Sequence, residues 1–154
     1  MALYIVQHGQ SLPKDIDPER GLSEQGRREV ERIAGVAKGY RVKVTTIIHS
    51  GKKRARETAE ILASALNPAV GIFQRDGFGP HDDVPLLAGT LDPDADHMLV
   101  GHLPFLEKLI AYLITGKTDP PIFKLQNGGI LCMNRQGGTW VILWALMPHI
   151  GSDV

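Results

Sequence analysis

Cysteine is almost absent from this chain of 154 residues, in which Cys132 is the single one. No disulfide can therefore form within the chain, and Cys132, which lies in an apolar run, is expected to pack as a small core side chain. The histidines also lack the spacing of metal ligands, because no His-x-x-x-His or Cys-x-x-Cys pattern occurs. We therefore expect no metal site.

An excess of positive charge is lacking too, since 17 Lys and Arg residues balance 17 Asp and Glu residues, and aromatic residues make up only 6% of the chain. Proteins that bind nucleic acids usually have a basic excess and exposed aromatic side chains, so we expect no nucleic-acid partner. The longest apolar run extends from Trp140 to Met147, well short of the roughly 18 residues of a membrane span. No signal-peptide pattern is apparent, so we expect a cytoplasmic protein with no membrane partner.

The remaining composition is that of an ordinary globular protein, with 43% apolar and 22% charged residues. A chain of this length is expected to form one domain over residues 1–154. Along it, β-rich runs lead through polar turns or loops into helical patterns. Strands are predicted at 3–6, 42–48, 70–73 and 97–100, and helices at 24–38, 52–66, 85–91 and 104–115.

The carboxyl-terminal part has a different pattern. Two β-rich runs, Ile130 to Asn134 and Thr139 to Leu146, are joined by a short glycine-containing connection, which predicts an antiparallel hairpin. Trp140 and Trp144 alternate along the second run and are expected on one face of it. The fold class predicted is α/β, a three-layer α/β/α sandwich around a mostly parallel mixed sheet that ends in an antiparallel hairpin.

Residues suited to phosphate chemistry follow three of the predicted strands. His8 ends the first strand, Arg54 opens the helix after the second, and His102 follows the fourth. The carboxyl ends of parallel strands share one edge of the sheet, where ligands bind, and Gly9 would let a ligand or backbone approach closely. A neutral histidine can attack phosphorus, an arginine fork at a helix start can hold phosphoryl oxygens, and a protonated histidine can stabilise developing charge. The pattern predicts a phosphoryl-transfer site.

Four segments also resemble motifs of the histidine phosphatase superfamily, which is phosphoglycerate mutase-like in fold. Val6 to Gly9 resembles its Arg-His-Gly signature, and Ser50 to Ala59 resembles its Ser-x-x-x-Arg-Ala-x-x-Thr-Ala segment. Val100 to Pro104 is similar to its second-histidine motif. Asp17 to Gly26 resembles the Arg-Pro-Leu-Thr-x-x-Gly stretch of the SixA-type branch, the phosphohistidine phosphatases. The resemblance covers nearly the whole chain.

The resemblance implies a phosphatase that forms a phosphohistidine intermediate on His8 and needs no metal or organic cofactor. Arg54 and His102 would hold the phosphoryl oxygens, with Arg20 contributing. The substrate implied is a phosphorylated protein, carrying phosphohistidine, or a small phosphorylated metabolite. A mutase role is a weaker alternative, because mutase relatives are usually longer.

Gln7 departs from the family pattern, which has arginine at this position. A glutamine amide can donate a hydrogen bond to a phosphoryl oxygen, but it brings neither charge nor a guanidinium fork. The loss of a charge-assisted bond in the transition state would slow the chemistry by about ten- to a thousandfold. Lys52, Lys53 or Arg20 would have to compensate. The alternative function is therefore a module that binds phosphate or phosphoprotein with little turnover.

The proton donor to the leaving group is sought on the loop after the third strand. Larger relatives keep an acid there, and this chain has Asp82 and Asp83, preceded by His81. Either carboxyl group is a candidate general acid, and His81 is a weaker one. The alternative interpretation is an acidic turn that only faces solvent.

Overall fold

The computed structural model describes residues 1–151, which contain six strands and four helices. The strands are β1 (Leu3–Gln7), β2 (Thr46–His49), β3 (Gly71–Gln74), β4 (His97–Gly101), β5 (Ile130–Gln136) and β6 (Thr139–Leu146). The helices are α1 (Glu24–Gly39), α2 (Lys53–Leu66), α3 (Val84–Ala88) and α4 (Phe105–Thr115).

All six strands form one sheet in the order β3-β2-β4-β1-β5-β6. The first four strands of this order run parallel, whereas β5 is antiparallel to β1 and β6 is antiparallel to β5. The predicted α/β class, with a mostly parallel mixed sheet and an antiparallel carboxyl-terminal hairpin, is confirmed. Crossing helices between parallel strands cover both faces of the sheet.

Strand β1 has a buried face on each side of the sheet, and all five of its residues are buried. Tyr4 and Val6 contribute to the core under α1 and α2, while Leu3 and Ile5 contribute to the core under α3 and α4. This arrangement explains why β1 is a continuous apolar run instead of an alternating one. It also directs the residues after β1 to the edge of the sheet.

Helix α1 begins where the sequence predicts, because the Ser23 hydroxyl accepts a hydrogen bond from Gly26 N at 3.0 Å. The helix lies so close to the turn after β1 that a Cβ on Gly9 would come within 2.7 Å of Val30 Cγ2. We expected Gly9 to admit a ligand or another backbone. In the structure, the space beside Gly9 is filled by a side chain of α1, so this glycine serves helix packing.

The second strand is shorter than predicted. It begins at Thr46, whereas the β-branched composition predicted a start at Val42. Val42 N bonds back to Ala37 O at the end of α1, and Thr45 N bonds to Asp96 O just before β4. Residues 42–45 therefore lead from the helix into the sheet, and their apolar character reflects burial, as at Val44, which is 4% exposed.

The carboxyl-terminal hairpin contains a β-bulge. The β5–β6 register shifts between Cys132, which pairs with Trp144, and Met133, which pairs with Ile142. Trp144 packs on the α1 and α2 side, whereas Trp140 packs on the α3 and α4 side. The expectation that the two tryptophans share one face is therefore wrong, because the extra residue of the bulge reverses the alternation.

Candidate active site

The two histidines of the predicted site meet at the carboxyl edge of the sheet. Gln7 at the end of β1 pairs with Gly101 at the end of β4, so the residues that follow, His8 and His102, emerge side by side. Their ring centroids are 5.1 Å apart and the ring planes are tilted by 51°. The structure therefore brings these two candidate residues together, which the spacing of the motifs alone could not establish.

The backbone of His8 is fixed at both ends of the residue. Its N–H donates to Gly101 O at 3.0 Å. Its carbonyl oxygen accepts from Asn127 Nδ2 at 3.0 Å and from Gly128 N at 3.2 Å. Two separate segments of the chain thus hold the position from which the imidazole extends, and such rigidity favours a reacting group that must be aligned with its target.

The hydrogen bonding of His8 defines its tautomer. Its Nδ1 lies 2.7 Å from Gly9 O, and a carbonyl oxygen can only accept, so the Nδ1 atom carries the proton. Burial lowers the pKa of His8 to about 4, against the opposing effect of the Gly9 bond, and the nearby charges of Arg54 and Arg20 lower it further. Near pH 7 the ring is neutral, and the lone pair on Nε2 is free to act as a nucleophile.

His102 is also neutral near pH 7. Burial lowers its pKa to about 3, and His8, Arg54 and Lys52 add to this effect. We expected a protonated His102, but the surrounding cations and the 1% exposure of the residue disfavour that form. A neutral imidazole still has one N–H to donate. Its Nε2 lies 2.5 Å from the Ser50 hydroxyl, while the buried Nδ1 has no partner.

Arg54 is connected to the His8 turn by a short chain of hydrogen bonds. Gly9 N donates to the Thr58 hydroxyl at 2.9 Å, and that hydroxyl donates to Arg54 O at 2.8 Å. The first turn of α2 is thereby tied to the residue after the candidate nucleophile. Burial lowers the pKa of Arg54, and the charge of Arg20 lowers it further, so two guanidinium groups lie near the histidine pair.

Arg20 combines backbone strain with a buried atom that has no partner. Its φ angle of 53° is left-handed, a conformation that non-glycine residues seldom adopt away from functional sites. One terminal nitrogen, Nη2, donates to the Ser11 hydroxyl at 3.2 Å, but the buried Nε has no hydrogen-bond partner. The strained loop thus places the Arg20 guanidinium at the sheet edge with one N–H donor that has no partner.

Gln7 is 8% exposed, and its Oε1 has no hydrogen-bond partner. Together with Arg20 Nε and His102 Nδ1, it makes three of the four buried side-chain atoms without partners among residues 1–151. Buried polar atoms normally find partners, and exceptions require an explanation. The nitrogens of Arg20 and His102 can donate to an anionic group, which indicates a place suited to one beside the two histidines and two arginines, whereas the Gln7 oxygen can only accept and needs a donor.

The two acid candidates differ in their surroundings. Asp83 caps α3 by accepting from Leu86 N at 3.0 Å, and Asp82 accepts from Gly79 N at 2.8 Å. Asp82 and His81 line a hollow of about 640 Å³ that also reaches Ser50, whereas Asp83 lies outside it. Asp82 therefore shares a hollow with Ser50, which contacts His102, whereas Asp83 caps a helix.

Three residues with positions in the site were given no role from the sequence: Ser50, Thr58 and Asn127. Ser50 and Thr58 are both fixed positions of the second motif, so the motif itself contained the signal. Asn127 follows no pattern that could have indicated a contact with His8, because 119 residues separate the two. Among residues 1–151, no group of three or more His, Cys, Asp or Glu side chains could hold a metal ion, and no helix is long and apolar enough to cross a membrane.

The fold and the site together define an α/β protein whose sheet edge brings together two neutral histidines and two arginines. Comparison with known proteins is consistent with this class. Residues 3–78 match the model of the histidine phosphatase superfamily, branch 1. Phosphohistidine phosphatase SixA of Escherichia coli is 27% identical over 154 residues, covering 96% of this chain and 94% of that protein. An uncharacterized protein of Picosynechococcus sp. is 31% identical over 140 residues, covering 85% and 83% of the two chains.

Solved structures agree with the sequence comparisons. The protein histidine phosphatase SixA complexed with tungstate superimposes with a TM-score of 0.81 at 28% identity, covering 96% of this chain and 97% of that chain. The putative phosphohistidine phosphatase SixA from Agrobacterium tumefaciens has the same fold, with a TM-score of 0.77 at 24% identity over 96% and 97% of the chains. The chain belongs to the histidine phosphatase superfamily, in its SixA-type branch. These relatives support a phosphatase function.

Proposed function

We propose that the protein hydrolyses phosphohistidine on a protein substrate through a phosphohistidine intermediate on its own His8. The observation that carries this proposal is the state of His8. Its Nδ1 is protonated and bonded to Gly9 O, its pKa is lowered to about 4, and Nε2 is left free beside Arg54 and Arg20. A neutral nucleophile among fixed cations suits attack on an anionic phosphoryl group.

The first chemical step transfers the phosphoryl group to His8. The lone pair of Nε2 forms the new N–P bond as the bond from phosphorus to the leaving nitrogen breaks. Arg54, Arg20 and the single N–H of neutral His102 stabilise the charge on the phosphoryl oxygens, and Gln7 adds a neutral amide donor. The leaving imidazole needs a proton, and we assign its delivery to Asp82, whose hollow reaches Ser50.

The second step returns the enzyme to its starting state. Water attacks the phosphorus of phospho-His8 and passes a proton to the Asp82 carboxylate, which gave one up in the first step, while the N–P bond breaks and inorganic phosphate leaves. Both steps need His8 neutral and free to act as nucleophile and leaving group in turn. The choice of phosphohistidine as substrate is supported by the similarity to SixA, which is named a phosphohistidine phosphatase; a small phosphomonoester is the second substrate class.

The test compares phosphate release from a phosphohistidine-bearing protein and from para-nitrophenyl phosphate. We expect wild type to release phosphate from both, with the higher kcat/KM for phosphohistidine, and His8→Ala to lose at least about a thousandfold in each case. His97→Gln, at the opposite end of β4, is the control for substitution of a histidine. Quenched reactions should also contain acid-labile phosphate on wild type and none on His8→Ala.

A second candidate function follows from Gln7, whose amide replaces a charged group. Under this alternative the protein binds phosphate or phosphoprotein with little turnover. Wild type would then bind tungstate through Arg54 but release no phosphate from either substrate. That result would overturn the enzyme proposal, whereas release that depends on His8 would exclude the binding module.

A further inference from the structure

A groove next to the histidine pair concentrates positive charge. It has a volume of about 440 Å³ and lies between the loop after β1 and the start of α2. Its one carboxylate is that of Glu19, and its six cationic side chains are those of Lys14, Arg20, Lys52, Lys53, Arg54 and Arg56. The formal net charge of the chain is zero, so this basic groove, as we call it, is a local excess.

Part of this charge is already neutralised. Lys53 Nζ pairs with Asp17 Oδ2 at 2.9 Å, and Arg56 Nε lies 3.7 Å from Glu60 Oε1 in an exposed pair. Lys14 and Lys52 are exposed, and neither has an ion-pair partner among residues 1–151.

The remaining charge exceeds what one phosphoryl group can balance. A phosphoryl group brings a charge of about −2, which the two guanidinium groups at the histidine pair, Arg20 and Arg54, already match. Lys14 and Lys52, with the weakly paired Arg56, are left over and outnumber the one carboxylate of the groove, that of Glu19. The groove therefore suits a ligand with negative charge beyond its phosphoryl group.

The shape of the surface favours a large ligand. Gly51 and Lys52 line both the basic groove and the hollow of about 640 Å³ that contains Asp82, so the two concavities adjoin. Ile16, which is 67% exposed, lies two residues after Lys14 in the same loop and offers an exposed apolar side chain there. A charged groove with an exposed apolar residue nearby is typical of a surface that binds another protein.

We propose that the basic groove docks an acidic surface of the phosphoprotein substrate next to its phosphohistidine, through Lys14, Lys52 and Arg56. This inference rests on the proposed function. Complementary charge accelerates the encounter of two proteins, and salt screens it over about 10 Å at 0.1 M ionic strength. Asp76 lines the adjoining hollow and brings a negative charge there, which favours the acidic part of the partner over the basic groove instead.

The experiment uses two phosphohistidine peptides that are identical except that four Asp residues flank the phosphohistidine in one and four Asn residues in the other. We expect wild type to have a kcat/KM about tenfold higher for the Asp peptide at 20 mM salt, and the advantage to disappear at 0.5 M salt. Equal kcat/KM values for the two peptides at low salt would overturn the proposal.

The variant Lys14→Gln/Arg56→Gln removes two groove charges and leaves Lys52, whose charge is felt at His102. We expect the ratio of kcat/KM for the Asp peptide to that for the Asn peptide to fall about fivefold. The matched control, Lys108→Gln/Lys117→Gln, removes two exposed charges remote from the groove and should keep the wild-type ratio. The same loss in both double variants would show a general charge effect and overturn the docking assignment.

The unphosphorylated peptides separate docking from catalysis. Their affinities, measured by calorimetry, should favour the Asp peptide in wild type and lose this preference in Lys14→Gln/Arg56→Gln. If neither phosphopeptide releases phosphate, the proposed function fails while these affinities still decide the docking. Methylenediphosphonate tests a small polyanion in the same groove: its tight binding, with no preference between the peptides, would overturn docking of a protein.

Discussion

The two ends of the parallel strands differ in whether their polar groups have hydrogen-bond partners. At the amino ends, Ala2 N donates to Asp96 Oδ1 at 2.8 Å, and Thr45 N donates to Asp96 O at 2.8 Å. The Tyr4 hydroxyl donates to Lys43 O at 3.0 Å. The donors of this region are used to hold the chain segments together, as in most protein interiors.

At the carboxyl ends, buried atoms of Gln7, Arg20 and His102 have no partner, and Arg20 has a strained backbone. A buried polar group without a hydrogen bond costs about 1 to 3 kcal/mol of stability. The polar groups of this sheet are therefore hydrogen-bonded at its amino edge, whereas some of those at its carboxyl edge have no partner. An anionic ligand could satisfy Arg20 Nε and His102 Nδ1, whereas Gln7 Oε1 needs a donor, so the carboxyl edge has a stability cost of the kind found at ligand sites.

The largest difference is expected between two single substitutions of histidine, one at each end of β4. His102→Gln should lower kcat/KM for phosphohistidine by about a hundred- to a thousandfold, because the amide N–H does not occupy the position from which the imidazole N–H donates to the phosphoryl oxygens. His97→Gln, at the amino end, should change kcat/KM less than about twofold. Steady-state kinetics with urea unfolding of each variant checks this, and equal losses in the two variants would remove the distinction between the ends.

The second prediction concerns stability and pH. The folded-state pKa of His8 is lowered to about 4, whereas that of an unfolded histidine is near 6.5. As the pH falls below about 6.5, His8 becomes protonated in the unfolded chain but stays neutral in the folded protein. The free energy of unfolding should therefore decrease by roughly 3 kcal/mol on reaching pH 4. His102, with a pKa of about 3, acts in the same direction to a lower pH.

Urea unfolding at steps from pH 7.5 to pH 4 in phosphate-free buffer measures this effect. His8→Gln should have a flatter profile, and His97→Gln should follow wild type. A wild-type profile that is level between pH 6.5 and pH 4 would contradict the lowered pKa of His8.

The third prediction exchanges one unpaired group for a charged one. Gln7→Arg should raise kcat for phosphohistidine about tenfold, because a charge-assisted donor replaces a neutral amide. A third guanidinium near Arg20 and Arg54 adds like-charge repulsion, so the free energy of unfolding should fall by about 1 to 2 kcal/mol in phosphate-free buffer. Stability should recover when tungstate is added, and a variant slower than wild type would show that the site is adapted to glutamine.

The smallest effect is expected at Ser50, whose hydroxyl contacts His102 Nε2. Ser50→Ala should lower kcat about threefold with little change in KM, because the imidazole is less well positioned. Ser50→Thr keeps the hydroxyl and should restore kcat. Ser64→Ala, an exposed serine on α2, is the control. If Ser50→Thr restores kcat and only Ser50→Ala shifts the pH profile of kcat, the Ser50 hydroxyl positions His102. A general loss of stability would not produce this pattern.

Much of this arrangement could be predicted from local sequence patterns. The strand and helix positions, and the meeting of His8 with His102, follow from apolar runs and from the edge rule for parallel strands. The β5–β6 bulge could not be predicted, because the register between two strands depends on side-chain packing that local apolar alternation does not encode. Nor could the lowered pKa of His102, which arises from burial and from charges distant in the sequence.

The contact between Asn127 and His8 has a consequence for how much of the chain the site needs. The segment that matches the family model ends at residue 78. The carbonyl oxygen of His8 nevertheless accepts hydrogen bonds from Asn127 and Gly128, and its N–H donates to Gly101 O. The candidate nucleophile is therefore held by contacts that span 119 residues of sequence, and the proposed reaction requires a segment far outside the one that matches the family model.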